Sequence, residues 1–423
     1  MTQPIIGFVG MTHLGLVSGI SATEKGFRVI CFDQDADKVR ALNEGILSVS
    51  EPHLDELIIK NKSQISFTDE VANLKKCDVV YVAPDIATDD FGKSNLAPID
   101  FLLNLTFDDA RDDAVIVVLS QVPPGFSRAR VRYGRTLYYQ VETLIFGRAV
   151  ERALYPERYI VGCANPAKEL PEPYKKILEA YNCPILKMRY ESAELAKISI
   201  NMCLVASVST ANILAEICEN IGADWSEIIP ALKLDKRIGQ YSYLNPGLGI
   251  SGGNLERDLA TVCRLGDEHG TDTNTVRAWI ENSYYRKNWP FRTLYREVLS
   301  KINNPVIAIL GLAYKENTHS VKNSPAILLL ESLKPYKTRL YDPVVSIDMV
   351  AEVKSYFAKD SLDACEGADV LIIMTPWDEF RNLNISDVAI ALSGKIVIDP
   401  YKVFNQGACL AKNIDYHTLG VKH

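Results

Sequence analysis

The stretch from residue 245 to 258, NPGLGISGGNLERD, has the residue types needed to hold a phosphate. Its four glycines fall within seven positions: Gly247, Gly249, Gly252 and Gly253. Because glycine has no Cβ, backbone amides in such a loop can approach a phosphate closely. The polar residue Asn254 follows the glycines directly, and the carboxylate of Asp258 comes four residues later.

A second pair of polar residues has the spacing to act on an oxygen atom. Lys197 and Asn201 are four residues apart in a helical pattern, so their side chains leave the same face of a helix. A cation and an amide donor aimed at one oxygen stabilise a developing alkoxide. A solvated helical face is the alternative explanation of this pair.

The N-terminus has the order of a dinucleotide-binding βαβ unit. The run from Gly10 to Gly15 supplies the first and third glycines of the turn, but Thr12 replaces the second. Asp33 ends the next strand pattern, where a carboxylate can bond a ribose 2′-hydroxyl and repel a 2′-phosphate. The pattern therefore favours NAD over NADP, and a structural turn without a ligand is the alternative.

Strand patterns alternate with helical stretches on both sides of one long apolar helix. The strand patterns are 5–9, 27–32, 79–83, 114–119 and 159–161, then 306–310, 338–341, 370–374 and 396–398. Helical spacing without Gly or Pro runs from Glu191 to Ile221. We therefore predict an α/β fold with two Rossmann-like doubly wound domains, joined by a long central helix and a small helical domain. The predicted domains are 1–190, a Rossmann-like domain that binds the dinucleotide, 191–300, a helical domain that supplies a dimer surface, and 301–423, a second Rossmann-like domain.

Composition excludes some partners and favours others. A chain of 423 residues with 47% hydrophobic residues can bury two or three cores. The net charge of -7 gives no footprint for nucleic acid. Nine cysteines without CxxC pairs suit reduced cytosolic thiols and predict no metal site. No basic leader and no apolar run of about 18 residues are found, which predicts a cytoplasmic protein without a membrane partner.

Together these motifs resemble the UDP-glucose/GDP-mannose dehydrogenase family from Ile5 to about Lys402. The glycine loop is similar to the family's active-site segment, but Asn254 stands where the family has cysteine, while Asp258 keeps the aspartate. Residues 191–201 resemble the family's E-x-x-K-x-x-x-N helix, which implies that Lys197 and Asn201 stabilise the oxygen being oxidised.

Further segments resemble the family and imply further roles. Residues 120–125 resemble S-T-V-P-x-G, with Gln121 in place of a threonine implicated in holding the catalytic water. Residues 141–147 resemble P-E-F-L-x-E-G, with Val141 for proline, Glu142 as the first glutamate and Phe146 replacing the second, which assists the thioester stage. The segments 235–239 and 311–318 imply that Arg237 reaches a pyrophosphate, including across a dimer interface, and that Lys315 contacts the nucleotide-sugar.

The resemblance implies three sets of site residues, NAD as the cofactor, a nucleotide-sugar substrate and a homodimer. A UDP-sugar is the favoured substrate. The catalytic set is Lys197, Asn201, Asp258, Asn254, Glu142 and Gln121; the cofactor set is Gly10, Thr12, Gly15, Asp33, Pro84 and Ser120; the substrate set is Arg237, Tyr243, Gly249 and Lys315.

Family members oxidise a sugar CH₂OH twice, and the second step uses the cysteine. The groups of the first step are present here, whereas those of the second are missing at Asn254 and Phe146. Cys263, nine residues beyond Asn254, would be about 13 Å away along a helix and is a poor substitute. We hypothesise an atypical NAD-dependent oxidoreductase that performs one two-electron oxidation, to a 6-aldehyde or a ring ketone. A complete 6-dehydrogenase without covalent catalysis and a non-catalytic nucleotide-sugar-binding subunit are the alternatives.

Overall fold

The computed structural model describes residues 3–89, 92–350 and 355–422. Contacts divide the chain into two compact units, Met1–Ile200 and Asn201–His423. The division falls inside one long helix, and each unit contains a sheet of its own.

The first unit is built on an eight-stranded sheet in the order β3-β2-β1-β4-β5-β6-β7-β8. The strands are β1 (Ile5–Val9), β2 (Arg28–Phe32), β3 (Ile65–Thr68), β4 (Val79–Val82), β5 (Val115–Val118), β6 (Thr136–Gln140), β7 (Tyr159–Cys163) and β8 (Ile185–Arg189). All neighbours are parallel except β6 and β7. The central strands β4 and β5 are buried throughout and rich in valine, as expected for a parallel sheet with both faces covered.

Helices connect these strands. They are α1 (His13–Glu24), α2 (Ala36–Asn43), α3 (Leu54–Lys60), α4 (Ala97–Asp109), α5 (Phe126–Ala129), α6 (Ala149–Leu154) and α7 (Glu172–Glu179). The strand order reverses direction between β1 and β4, and ligands of open α/β sheets bind outside the carboxyl ends of the strands at such a point.

The helix α8 (Tyr190–Ile221) has 32 residues, as its unbroken apolar spacing predicts. It ends before Gly222, whose φ of +82° is the left-handed conformation that commonly terminates helices. By length and composition alone, α8 is the one helix of the described ranges able to cross a membrane, and a third of its most apolar window is buried. This is weak evidence, since core helices of soluble proteins have the same properties.

The second unit continues with helices and a six-stranded parallel sheet in the order β11-β10-β9-β12-β13-β14. The helices before the sheet are α9 (Trp225–Leu234), α10 (Asn254–His269), α11 (Asn274–Lys287) and α12 (Trp289–Leu294). The strands are β9 (Val306–Leu310), β10 (Lys337–Tyr341), β11 (Tyr356–Phe357), β12 (Val370–Ile373), β13 (Ile396–Ile398) and β14 (Asp415–His417). The remaining helices are α13 (Pro325–Ser332), α14 (Ser361–Cys365), α15 (Asp378–Arg381), α16 (Ile385–Ala391) and α17 (Gln406–Ala411).

The predicted fold class is confirmed, with two doubly wound sheets and a long helix that lies between them in the sequence. Five strands, β3, β6, β8, β11 and β14, were not predicted. They are short or polar, as in TLYYQ of β6 and DYH of β14, so their apolar pattern is weak.

Candidate active site

The turn after β1 has the geometry of a dinucleotide-binding turn at two of its three glycine positions. Gly10 has a φ of +94°, and a Cβ on Gly15 would lie 2.0 Å from the carbonyl oxygen of Gly10. Only glycine therefore lets α1 start this close to the turn. Thr12 stands before α1, and its Oγ1 accepts a hydrogen bond of 2.8 Å from the backbone amide of Asp85.

Carboxylates already accept two backbone amides of this turn. Met11 N donates to Asp33 Oδ2 at 2.8 Å, and His13 N donates to Asp85 Oδ2 at 2.9 Å. Asp33 is buried and also pairs with Lys38 at 2.9 Å. Since a helix N-terminus favours negative charge, Asp85 takes a place that an anionic ligand would favour. Sequence reasoning missed Asp85, although it directly follows Pro84.

The other predicted cofactor residues lie at the same edge of the sheet. Pro84 follows β4 and Ser120 follows β5, and Ser120 Oγ donates to the carbonyl oxygen of Pro84 at 2.5 Å. A Cβ on Gly10 would lie 3.1 Å from the nitrogen of Pro84. The structure thus brings all six predicted cofactor residues to the carboxyl ends of β1, β2, β4 and β5.

Glu51 joins the cofactor turn to the segment from 142 to 149. Its side chain has no exposed surface, and Oε1 lies 2.8 Å from His13 Nε2. Both carboxylate oxygens accept Gly147 N at 3.0 Å, and Oε2 also accepts Ala149 N at 3.2 Å. No sequence pattern signalled this role, because the bonded residues are 38 to 98 positions apart.

Lys197 and Glu142 form an ion pair in the first unit. Lys197 Nζ lies 2.8 Å from Glu142 Oε1 and donates to the Glu142 carbonyl at 3.2 Å. Leu144 N donates to the other carboxylate oxygen at 2.9 Å, which fixes the side chain. The side chains of Lys197 and Glu142 are 14% and 16% exposed, so the pair is largely shielded from solvent.

Glu194, one turn before Lys197 on α8, holds the turn that carries Gln121. It is fully buried and accepts Gly125 N at 2.6 Å and Ser127 N at 2.8 Å. Burial raises the pKa of Glu194, although its amide donors act in the opposite direction. This role of Glu194 was not predicted, although an acidic residue within the apolar pattern of α8 could have indicated it.

Phe146, predicted to replace the second glutamate, lies beside the first turn of α1. Its side chain is half exposed, and its ring centroid lies 4.2 Å from that of His13. An aromatic ring cannot polarise or deprotonate water.

In the second unit, the glycine loop is shaped by close contacts. Gly249 and Gly252 have φ values of +79° and +94°. A Cβ would lie 2.5 Å from the Ser283 carbonyl oxygen at Gly249 and 2.4 Å from the Tyr314 ring at Gly252. The loop is therefore packed against α11 and against the segment after β9, which also carries Lys315.

The helix α10 presents the two residues that follow the loop. Asn254 is its first residue and is exposed, while Asp258, one turn later, is buried. Asn201 donates from Nδ2 to Asp258 Oδ2. The structure thus brings together Asn201 and Asp258, and places an amide rather than a thiol at the start of α10.

The predicted substrate residues differ in their surroundings. Lys315 Nζ lies 5.7 Å from the ring centroid of Tyr314, beside the glycine loop. The side-chain carbons of Lys322 lie 3.6 Å from the position of a Cβ on Gly253. Arg237 is 90% exposed and pairs with Asp235 at 2.7 Å, and Tyr243 is exposed.

The second sheet repeats the acid at the end of its second strand. Asp342 follows β10 and accepts five donors: Leu312 N, Ala313 N, Val344 N, Val345 N and Trp377 Nε1. It is buried, so these bonds hold the turn after β9 from inside.

The thiols of the chain are poorly placed for nucleophilic catalysis. All nine cysteines are free, and seven of them are buried. Burial raises the pKa of Cys77 and Cys365 to about 12 and that of Cys409 to about 11. Cys263 is buried in α10, and Cys203 lies two residues beyond Asn201, about 200° around α8.

One group within the described ranges has metal-ligating side chains close together. Ligand atoms of Glu297, Asp415 and His417 lie within 4.8 Å of one another. Glu297 also pairs with Arg296 and Lys301, at 2.5 and 2.8 Å, so its charge is already neutralised. This pairing disfavours a cation there.

Comparison with known proteins gives matches along most of the chain. Three models of the UDP-glucose/GDP-mannose dehydrogenase family match the chain. They are the NAD-binding domain over residues 5–182, the central domain over 191–283 and the UDP-binding domain over 308–406.

Similar proteins extend over the whole chain. A UDP-glucose 6-dehydrogenase of Rickettsia conorii is 29% identical, covering 99% of both chains. UDP-glucose 6-dehydrogenase TuaD of Bacillus subtilis is 27% identical over 98% of this chain and 93% of its own. The structure of a UDP-glucose dehydrogenase from Pyrobaculum islandicum has a TM-score of 0.84 at 23% identity, covering 99% of this chain and 97% of that one. At 23% identity, the similarity to this structure supports the fold alone.

Proposed function

Because the chain belongs to the UDP-glucose/GDP-mannose dehydrogenase family, with its NAD-binding domain, we propose that it performs a single two-electron oxidation of a UDP-sugar. The product is an aldehyde or a ketone instead of a uronic acid. The observation that carries the proposal is Asn254 at the start of α10, where the family's nucleophile would stand.

The residues of the oxidation step support this proposal. Lys197 and Asn201 are one turn apart on α8, so a cation and an amide are offered along one helix face. Lys197 stabilises the alkoxide as the hydroxyl proton leaves to a water molecule, and Asn201 is held in place by Asp258. Glu142 pairs with Lys197 at 2.8 Å and orients its side chain.

The cofactor site fits NAD. Gly10 and Gly15 allow a tight turn, and the Asp33 carboxylate after β2 is the group that would bond an adenosine ribose and repel a 2′-phosphate. NAD, when bound, supplies the acceptor for the hydride. The alcohol thus loses one hydride and one proton, and no second acceptor is needed.

The later stage of the family's reaction lacks its groups here. An amide is not a nucleophile towards an aldehyde, unlike a thiolate. The proposal therefore ends the reaction at the carbonyl product, and the missing carboxylate at Phe146 belongs to the same stage.

Counting hydrides tests the proposal. The purified protein is incubated with NAD and a panel of UDP-, GDP-, CDP- and dTDP-sugars, and NADH is compared with product mass. One NADH per sugar and a product two mass units lighter are expected. Two NADH per sugar and an acid product would refute it, and oxygen from labelled water in a carboxylate would indicate oxidation of the hydrated aldehyde.

We further propose the assembly and domain limits. The apolar side chains of Ile213, Leu214, Ile217 and Ile221 are exposed on α8 and form a surface suited to a second copy of the chain. Residues 191–300 form the helical domain between 1–190 and 301–423, in a cytoplasmic homodimer. Light scattering after size exclusion checks the mass, and a monomer with unchanged activity would refute the dimer.

A further inference from the structure

Glu51 is a buried carboxylate that the oxidation step does not use directly. Its partners come from two segments, namely the first residue of α1 and the backbone from Gly147 to Ala149. Burying a carboxylate without partners costs free energy, so a buried carboxylate is expected where specific hydrogen bonds satisfy it. These bonds therefore fix the distance between the two segments.

Each of the two segments leads to part of the site. His13 starts α1, and its amide lies at the helix N-terminus, where it donates to Asp85. Gly147 lies five residues beyond Glu142, the partner of Lys197. Between them, Phe146 contacts the His13 ring, so imidazole, aromatic ring and carboxylate form one packed connection.

We propose that Glu51 is a positioning residue which, through His13, couples binding of the cofactor pyrophosphate to the placement of Glu142 and Lys197. The inference rests on the proposed function for its role in turnover. An anion at the start of α1 draws the His13 amide and ring into one arrangement, and Glu51 transmits that arrangement to Gly147 and Ala149. Thr12 stands at the second glycine position, where its Cβ hinders the direct approach of the backbone to the pyrophosphate. The connection through His13 therefore gives the pyrophosphate a second way to affect the site.

Hydrogen exchange with ADP-ribose tests the coupling without turnover. ADP-ribose has the pyrophosphate but no nicotinamide, so it cannot touch the Glu142 segment through that ring. We expect ADP-ribose at saturation to slow exchange in residues 147–149 at least about fivefold in the unaltered protein. His13→Leu should abolish this effect while ADP-ribose still binds, and His13→Gln, which keeps a donor for Glu51, should retain part of it.

Turnover supplies a second readout. Glu51→Gln is expected to lower kcat about tenfold with the KM of the sugar unchanged, whereas Glu56→Gln, an exposed acid that pairs with His53, should change neither. The inference is overturned if ADP-ribose leaves residues 147–149 unaffected in the unaltered protein, or if protection persists in His13→Leu. Absence of NAD reduction alongside intact coupling would count against the proposed function alone.

Discussion

Replacement of Asp85 by asparagine should tighten NAD binding. The Asp85 carboxylate lies at the N-terminus of α1 and takes the His13 amide, one of the donors suited to a pyrophosphate. Asparagine keeps an oxygen that accepts the same amide, so the change removes charge while preserving shape. The perturbation is therefore electrostatic.

The expected gain in the free energy of NAD binding has two sources, the charge at the helix N-terminus and the hydrogen bond that His13 N donates to Asp85. A charge at a helix N-terminus changes the free energy by about 0.3–2 kcal/mol, and a hydrogen bond to a charged group contributes about 1.5–3 kcal/mol. Because the asparagine oxygen still accepts the His13 amide, only part of this free energy is gained on NAD binding. We expect a gain of about 1–2 kcal/mol in binding free energy, which corresponds to a Kd for NAD about 5–30-fold lower.

Isothermal titration calorimetry with NAD at several salt concentrations measures this Kd. The difference between Asp85→Asn and the unaltered protein should shrink as salt screens the charge. Asp37→Asn, which removes an exposed acid on α2, is the matched control and should leave the Kd within twofold. Unchanged or weaker binding in a folded Asp85→Asn protein would refute the reasoning.

Three further outcomes are expected. Lys197→Met should lower kcat about 10²–10³-fold in NADH assays, because it removes the cation at the alkoxide and leaves Glu142 unpaired; a change confined to KM would contradict this. Asn254→Cys alone should yield no uronic acid by mass analysis, and acid should require Phe146→Glu as well; acid from the single variant would be inconsistent with the role given to Phe146. Glu297→Gln should lower the free energy of unfolding by about 1–2 kcal/mol at pH 7, discounted for partial exposure. Burial alone would raise the pKa of Glu297, but Lys301 and Arg296 lower it to about 2 from 4.5. This stability is therefore present above pH 4.5 and lost as pH falls towards 2, and denaturation that shows an equal difference at pH 2 would refute the assignment.

Local patterns predicted much of the fold and part of the candidate site. The valine-rich strands, the turn from Gly10 to Gly15 and the long helix of Lys197 follow from apolar spacing and glycine position, which are properties of a few neighbouring residues. The edge strand β14 has only three residues and little apolar pattern, so nothing local distinguished it.

Local sequence patterns did not predict the hydrogen bonds that position the site residues. Asp85 bonds a residue 72 positions away, Glu51 bonds one 98 positions away, and Glu194 bonds one 69 positions away. These pairings depend on which strand ends lie side by side, and one sequence does not specify that. The resemblance to a family supplied Lys197, Asn201 and Asp258, but it did not supply the acids that hold their surroundings.

The five bonds to Asp342 have a consequence for redesign. Asp33 receives one amide from its glycine turn, whereas Asp342 receives two from the equivalent turn and three more from elsewhere. The second sheet thus has the strand order of a Rossmann-like domain, but the acid after its second strand is engaged in internal hydrogen bonds. A glycine-rich turn introduced after β9 would therefore not create a second coenzyme site while Asp342 keeps these hydrogen bonds. Removing the bonds would in turn destabilise the turn that they hold.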